Sequence, residues 1–169
     1  GTYFSNKINK LIQSNNDFTS YDNLGKATTQ VIETYATIKL ADNIIAQADY
    51  SFTRARDDIA QQALLRRPRH KTSFTIRWQP YEKLLLSAQM LSVGAWTDGN
   101  RNFSIQRLRA SGYTTFNLTA DYRINEETAL FGTVDNIFNR YYENPTGYRQ
   151  PGLGVFMGLR FSPSLNGLS

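Results

Sequence analysis

The residue types that could carry chemistry are few. His70 is the only histidine among 169 residues, and there is no cysteine. A multi-histidine metal centre, a thiolate zinc site, a cysteine nucleophile and a disulfide framework are therefore excluded. A Ser/His/Asp triad would have to use His70, and no spacing around it singles one out. Asp57 and Asp58 could ligate a hard cation. Two adjacent carboxylates without a Gly turn and further spaced oxygens read instead as solvated loop charge. Gly152-Leu153-Gly154 lacks a following helix, so it is not a phosphate-binding loop. Neither enzyme activity nor a bound cofactor or metal is expected.

What remains is cationic. Lys and Arg number 19 against 14 Asp and Glu, a net charge of +5. Arg66, Arg67, Arg69 and Lys71 surround His70, and Arg101, Arg107 and Arg109 form a second group. Such groups suit an anionic ligand, nucleic acid or an anionic lipid surface. A nucleic-acid platform would interleave its basic residues with stacking aromatics. Here the aromatics follow the apolar residues and the basic ones fall between ordered segments, so nucleic acid is not expected. The run 66–71 reads most simply as a solvated strand entrance. Contact with a ligand on an external loop, or with lipopolysaccharide phosphates, are the functional alternatives.

The elements that must position these groups are strands. Ile44, Ala46, Ala48, Tyr50 and Phe52 alternate with Ile45, Gln47, Asp49 and Ser51. Phe74, Ile76 and Trp78 alternate with Thr75, Arg77 and Gln79, and Phe116, Leu118, Ala120, Tyr122 and Ile124 with Asn117, Thr119, Asp121 and Arg123. Alternation of this kind sets two unlike faces on a strand. Weaker segments begin near Phe4, Ile8 and Ile12, which share a parity, and recur at 31–40, 84–97, 128–137 and 154–161. That makes eight candidate strands. Residues 57–65 could form a turn or two of helix. With 40% hydrophobic and 13% aromatic residues, disorder is not expected.

The connections sort by length. Those at about 13–26, 54–71, 98–112 and 138–153 are long, and those at 42–43, 80–83 and 125–127 are short. A soluble sandwich has no reason to sort its loops this way; a membrane barrel has short turns on one rim and long loops on the other. In hydrocarbon every backbone polar group must be paired within the protein, which favours a closed sheet. The apolar parity would then face lipid. Asp49, Arg77, Asp121, Arg123 and Arg160 would line the interior, and Tyr50, Trp78, Trp96 and Tyr122 would suit interfacial girdles. No apolar run reaches the ~18 residues of a spanning helix. The start at Gly1, without Met or a signal-peptide pattern, gives the expectation of a processed chain or one cut from something longer.

Several ordered motifs then converge. Val134-Asp135-Asn136-Ile137-Phe138-Asn139-Arg140-Tyr141-Tyr142-Glu143, Gly147-Tyr148, Pro151-Gly152 and Gly158-Leu159-Arg160-Phe161 resemble the C-terminal end of TonB-dependent outer-membrane receptors. Asn23-Leu24-Gly25-Lys26-Ala27 and Arg67-Pro68-Arg69-His70-Lys71 resemble upstream landmarks of that family. The resemblance covers about residues 3–161. It makes Asn136, Phe138, Tyr141, Tyr142, Gly147, Tyr148, Pro151, Gly152 and Phe161 structural landmarks. Leu153 stands where the family usually has Arg, and Phe161 is followed by a tail where the family ends on an aromatic that marks the barrel for assembly.

The resemblance implies an all-β, antiparallel, up-and-down transmembrane barrel segment over 1–161 and a tail over 162–169. It implies energised uptake of a scarce nutrient, a metal chelate such as a ferric siderophore or a cobalamin such as vitamin B12, across the bacterial outer membrane. Arg66, Arg67, Arg69, Arg101, Arg107 and Arg109 are the candidate contacts to that anionic ligand. The plug and the segment that contacts TonB lie outside these residues, so transport by this chain alone is not expected. Eight strands alone would either close on themselves or pair their edges in a homodimer. A small eight-stranded outer-membrane barrel of structural or adhesive type, and a soluble β-sandwich binding module, are the competing architectures.

Overall fold

A computed structural model describes residues 1–9, 12–14, 21–23, 25–99, 102 and 104–163. The strands are β1 (Thr2–Asn9), β2 (Ile12–Ser14), β3 (Tyr21–Asn23), β4 (Lys26–Ala41), β5 (Ile44–Asp57), β6 (Gln62–Ala63), β7 (His70–Tyr81), β8 (Leu84–Val93), β9 (Trp96–Asp98), β10 (Leu108–Ala110), β11 (Tyr113–Arg123), β12 (Thr128–Asp135) and β13 (Gly154–Phe161). Eight of them form one sheet in the order β1-β4-β5-β7-β8-β11-β12-β13, with β6 added to β5. Every neighbouring pair is antiparallel. Short turns join β4 to β5, β7 to β8 and β11 to β12, while the long connections all leave the opposite rim. Among the described residues no helix is long and apolar enough to cross a membrane.

The register explains why these residues make one sheet. Ile38, Ala46, Ile76, Ala88, Leu118, Val134 and Val155 lie directly opposite one another across seven strands. The adjacent row on the other face is Thr37, Gln47, Thr75, Gln89 and Asn117. Directly opposed side chains on one face are the unit of sheet stabilisation. A slip of one residue would mix an apolar row with a polar one, which pins the register. No second layer covers the apolar face: Ile38 is 57% exposed, Leu159 68% and Met157 79%. In water that would be an open apolar patch of a kind soluble monomers avoid. The sandwich is therefore not the architecture.

Four sequence expectations change. Among the described residues no ladder joins β1 to β13, so the sheet does not close on itself as a small barrel. Residues 57–65 hold a turn at 58–61 and the short strand β6 rather than a helix, because Asp57 Oδ1 accepts the amides of Ile59 (2.8 Å) and Ala60 (2.9 Å) and Gln61 turns to φ 56°. In β1, Tyr3 pairs with Ile32 and Phe4 with Val31, so Phe4 and Ile8 join the polar-row face. As an edge strand β1 takes its register from β4 alone, which its own alternation cannot reveal. Trp96 leaves the girdle: β8 ends at Val93, the parity is lost across Gly94-Ala95, and Trp96 is 6% exposed in a cluster with Val93, Ala110 and Tyr113. Tyr50, Trp78 and Tyr122 do stand exposed on the apolar face.

Close backbone approach fixes the entry to β11. A Cβ on Gly112 would lie 2.5 Å from the Val93 carbonyl oxygen and 3.0 Å from the Ala95 nitrogen. Both are backbone atoms of the neighbouring strand end and cannot rotate away. Gly112→Ala is expected to destabilise the sheet by about 1–3 kcal/mol, the range for forced overpacking. Urea unfolding followed by tryptophan fluorescence checks it, and an unchanged midpoint would refute the close approach.

Candidate functional site

The long-loop rim is organised around one carboxylate. Asp98, in β9, is wholly buried. Its Oδ1 accepts the Arg66 guanidinium at 3.0 Å and the Gly99 amide at 2.9 Å, and its Oδ2 accepts the Thr146 amide at 2.8 Å and the Trp96 indole at 3.4 Å. Three connections thereby meet at one side chain: 58–69, 94–112 and 136–153. Burial by itself raises the Asp98 pKa, but the Thr146 amide, Arg66 and the Gly99 amide together hold it below the ordinary carboxylate value. A carboxylate depressed in the folded state contributes stability above its unfolded pKa and loses it as pH falls through the folded value. The clamp is therefore expected to hold at neutral pH and to loosen only in acid, below the ordinary Asp value of about 3.9. Hydrogen exchange at the Gly99 and Thr146 amides, corrected for intrinsic rates, checks this; opening already at pH 6 would refute it.

Beside the clamp lies the polar-row side of the mouth. Arg66, Pro68, Lys71, Leu91, Val93, Trp96, Tyr113 and Asn144 line a cavity of about 210 Å³. Tyr142 stacks on Tyr113 with ring centroids 4.0 Å apart, and Trp96 meets Tyr113 edge-on at 6.2 Å. Asn144 Nδ2 reaches the Tyr113 hydroxyl at 3.5 Å. The lining of this cavity is rich in aromatic surface, and among the described residues its cations are Lys71 and the paired Arg66.

The 136–153 connection is folded by its own side chains. Asn136 is buried at φ 48°, a left-handed conformation that Asn tolerates. Its amide donates to Asn117 Oδ1 (2.9 Å), its Nδ2 donates to the carbonyls of Arg140 (2.9 Å) and Pro151 (3.3 Å), and its Oδ1 accepts the Arg140 amide (2.9 Å). Phe138 packs edge-on against Phe116 at 5.2 Å. Asn139 Oδ1 accepts the Leu153 amide at 3.0 Å and sits where a Cβ on Gly152 would fall. Glu143 accepts the Tyr141 hydroxyl and the Gly147 amide, each at 2.7 Å, and Arg149 lies 5.2 Å over the Tyr141 ring. The Gly147 amide and then the Tyr141 hydroxyl lower the Glu143 pKa. Gly147 turns at φ 85°, and Tyr148 exchanges backbone bonds with Asn144 and Pro145. Phe161, exposed, pairs with Thr128 at the short-turn rim.

The arginines divide. Arg66 points to Asp98, as above. Arg67, Arg69, Arg107 and Arg109 line a second cavity of about 590 Å³, with His70, Thr97 and Ala63. A third of about 160 Å³ shares Ala63, Arg67 and Arg69 with it and adds Arg54 and Arg56. Arg101 and Leu24 lie outside the described residues, as does the tail from residue 164. Arg54, Arg56, Asp98 and Tyr113 were not singled out from sequence. The signal for the first two was present, since they continue the parity of Tyr50 and Phe52. Nothing local marked Asp98, whose partners Arg66 and Thr146 lie 32 and 48 residues away. Among the described residues no group of three or more His, Asp or Glu is placed to hold a metal ion.

Known proteins share this fold. The family described as TonB dependent receptor-like, beta-barrel, matches residues 1–137. The ferric enterobactin receptor mutant (Q482A) from Pseudomonas aeruginosa, solved with enterobactin, is 18% identical with a TM-score of 0.78 over 94% of this chain and 28% of its own. The copper transporter OprC is 15% identical with a TM-score of 0.79 over 94% and 27%. The ferripyoverdine receptor of the outer membrane of Pseudomonas aeruginosa, bound to ferripyoverdine, is 19% identical with a TM-score of 0.73 over 94% and 24%. The chain thus spans less than a third of the length of these structures, and the likeness at such identities is one of fold.

Proposed function

From the premise that the chain belongs to the TonB-dependent receptor-like β-barrel family, we propose that it forms consecutive strands of a larger outer-membrane barrel that imports a metal chelate. The observation that carries this reading is the single uncovered sheet, apolar on one face and polar on the other, with its long connections on one rim. A bilayer accounts for the uncovered face, and further strands of the same barrel account for the unpaired edges of β1 and β13. Edge pairing between two copies is the other way to satisfy those edges. Crosslinking of the receptor in detergent separates the two.

The chelate reading draws on relatives solved with enterobactin and with ferripyoverdine, both as printed for those proteins. A cobalamin has no such support here. In the proposed mechanism the clamped loops frame the mouth, and Trp96, Tyr113 and Tyr142 offer flat apolar surface. Lys71 adds a positive charge beside these rings. In this reading the described strands are barrel wall, and energised passage draws on other parts of a receptor. Lys71→Ala in a complete receptor is expected to weaken binding of an anionic ferric chelate by about 10-fold, the worth of one charge-assisted hydrogen bond. Isothermal titration checks it, and unchanged affinity would remove Lys71 from the ligand surface.

A further inference from the structure

We propose that Asp98 is a specificity-determining residue for the inner cavity: by cancelling the charge of Arg66 it makes that cavity a seat for one aromatic ring with a single negative charge. Asp98 does this without touching the occupant. The inference rests on the reading above, in which this cavity is part of the ligand surface.

The cavity is walled by what Asp98 holds. Arg66 and Trp96 both line it and both donate to the carboxylate, Arg66 from Nε at 3.0 Å and Trp96 from Nε1 at 3.4 Å. Asn144 lines it from the third connection, just before Thr146, whose amide donates to Oδ2 at 2.8 Å. Each of the three connections thus gives a wall residue, and one carboxylate ties all three together. Lys71, Val93 and Tyr113 come from the sheet, where they lie directly opposite one another on β7, β8 and β11. Asp98 itself is wholly buried and is not part of the lining. Its influence on an occupant therefore runs through position and charge alone.

The charges decide what fits. Among the described residues Lys71 and Arg66 are the charged lining, and no carboxylate lines the cavity. Arg66 forms an ion pair with Asp98. Four N–H donors converge on the two carboxylate oxygens, which favours the ionised form. The guanidinium and the carboxylate therefore sum to zero, and the net charge at the cavity is that of Lys71. Two uncancelled cations around so small a space would favour a dianion, since Coulomb attraction grows with the product of the charges. The shape suits a ring. Trp96 meets Tyr113 at an interplanar angle of 82°, so the two rings form a corner. Tyr142 does not line the cavity but stacks on Tyr113 at 24° and holds that ring in place. A volume of about 210 Å³ takes one substituted ring rather than a whole chelate. Such a ring gains offset or edge contacts with Tyr113 and Trp96, and a charge-assisted bond with Lys71.

The test uses a complete receptor and three probes, phenol, benzoate and phthalate, which carry no, one and two negative charges on the same ring at neutral pH. Titration followed by ligand-observed NMR gives their affinities. The wild type is expected to bind benzoate more tightly than phenol and to gain nothing further with phthalate. D98N keeps the side-chain shape but removes the cancelling charge. It is expected to raise the ratio of phthalate to benzoate affinity about 10-fold, the worth of one charge-assisted hydrogen bond. R66Q alone leaves the carboxylate uncancelled and should lower that ratio, which gives a second arm independent of whether D98N folds. D98N/R66Q lacks both charges and should return the ratio to the wild-type value, the signature of a coupled pair. Heat-modifiable gel mobility shows which variant barrels are folded. A brace for the loops alone would weaken all three probes together and leave the ratio unchanged; that result in the folded single variants would overturn the proposal. So would a ratio still raised in the double variant, or a wild type that binds none of the probes. A ferric chelate is titrated separately. Ring probes behaving as expected in a receptor that binds no ferric chelate would sink the import reading and leave the role of Asp98 standing.

Discussion

Arginine at Ala88 is expected to destabilise the inserted barrel by about 2–4 kcal/mol, whereas arginine at the adjacent Gln89 should change it by no more than about 1 kcal/mol. The two positions are neighbours on β8 and differ only in face. Ala88 lies in the row with Ile76 and Leu118, Gln89 in the row with Thr75 and Asn117. If the apolar row meets hydrocarbon, a guanidinium there must be dragged toward the headgroups or hydrated by a defect in the bilayer. In the polar row it meets water and hydrogen-bonding neighbours. Urea unfolding of a complete receptor in vesicles measures both. Equal costs at the two sites, or a larger one at Gln89, would reverse the proposed orientation.

Replacing Asp98 by Ala is expected to release three loops at once, at a local cost of about 1–3 kcal/mol from buried donors left without an acceptor. The buried donors are the Gly99 amide and the Trp96 indole; the part-buried Thr146 amide and the half-exposed Arg66 guanidinium lose the same acceptor but can turn to water. Main-sheet ladders do not depend on Asp98, so the effect should appear as loop opening rather than loss of the barrel. Limited proteolysis should cut within 58–69 and 136–153 faster in Asp98→Ala, with the denaturation midpoint of the strands nearly unchanged. Asp98→Asn, which keeps the shape but turns an amide toward other donors, should fall between. Cleavage at the wild-type rate in both variants would mean that the carboxylate does not hold the loops.

Strand alternation made most of the fold readable in advance. Each of the rows through Ala46, Ile76 and Leu118 was visible as a local period of two, and the sorted connection lengths placed the two rims. What alternation could not convey was anything set by a partner distant in sequence. Phe4 and Ile8 changed face because β4 imposes the register of β1. Trp96 left the outer face because the strand breaks at Gly94, and its aromatic neighbours come from β11 and the last connection. The arginines were recognisable as a charged group, but their division was not. A bend at Arg69 and one buried carboxylate send Arg66 one way and Arg67 and Arg69 the other.

The two unpaired margins of the sheet have a consequence for timing. β1 has β4 on one side only, and β13 has β12 on one side only, among the described residues. A bilayer offers nothing to the bare amides and carbonyls of such a margin. Local hairpins such as β4–β5 and β7–β8 can zip early, since little chain separates their halves. In the proposed larger barrel, the final seam would join strands far apart in sequence, and closing it would carry the full entropic cost of a long loop. Insertion would then wait on that last stitch, and anything that shields the margins until it forms would speed the step most.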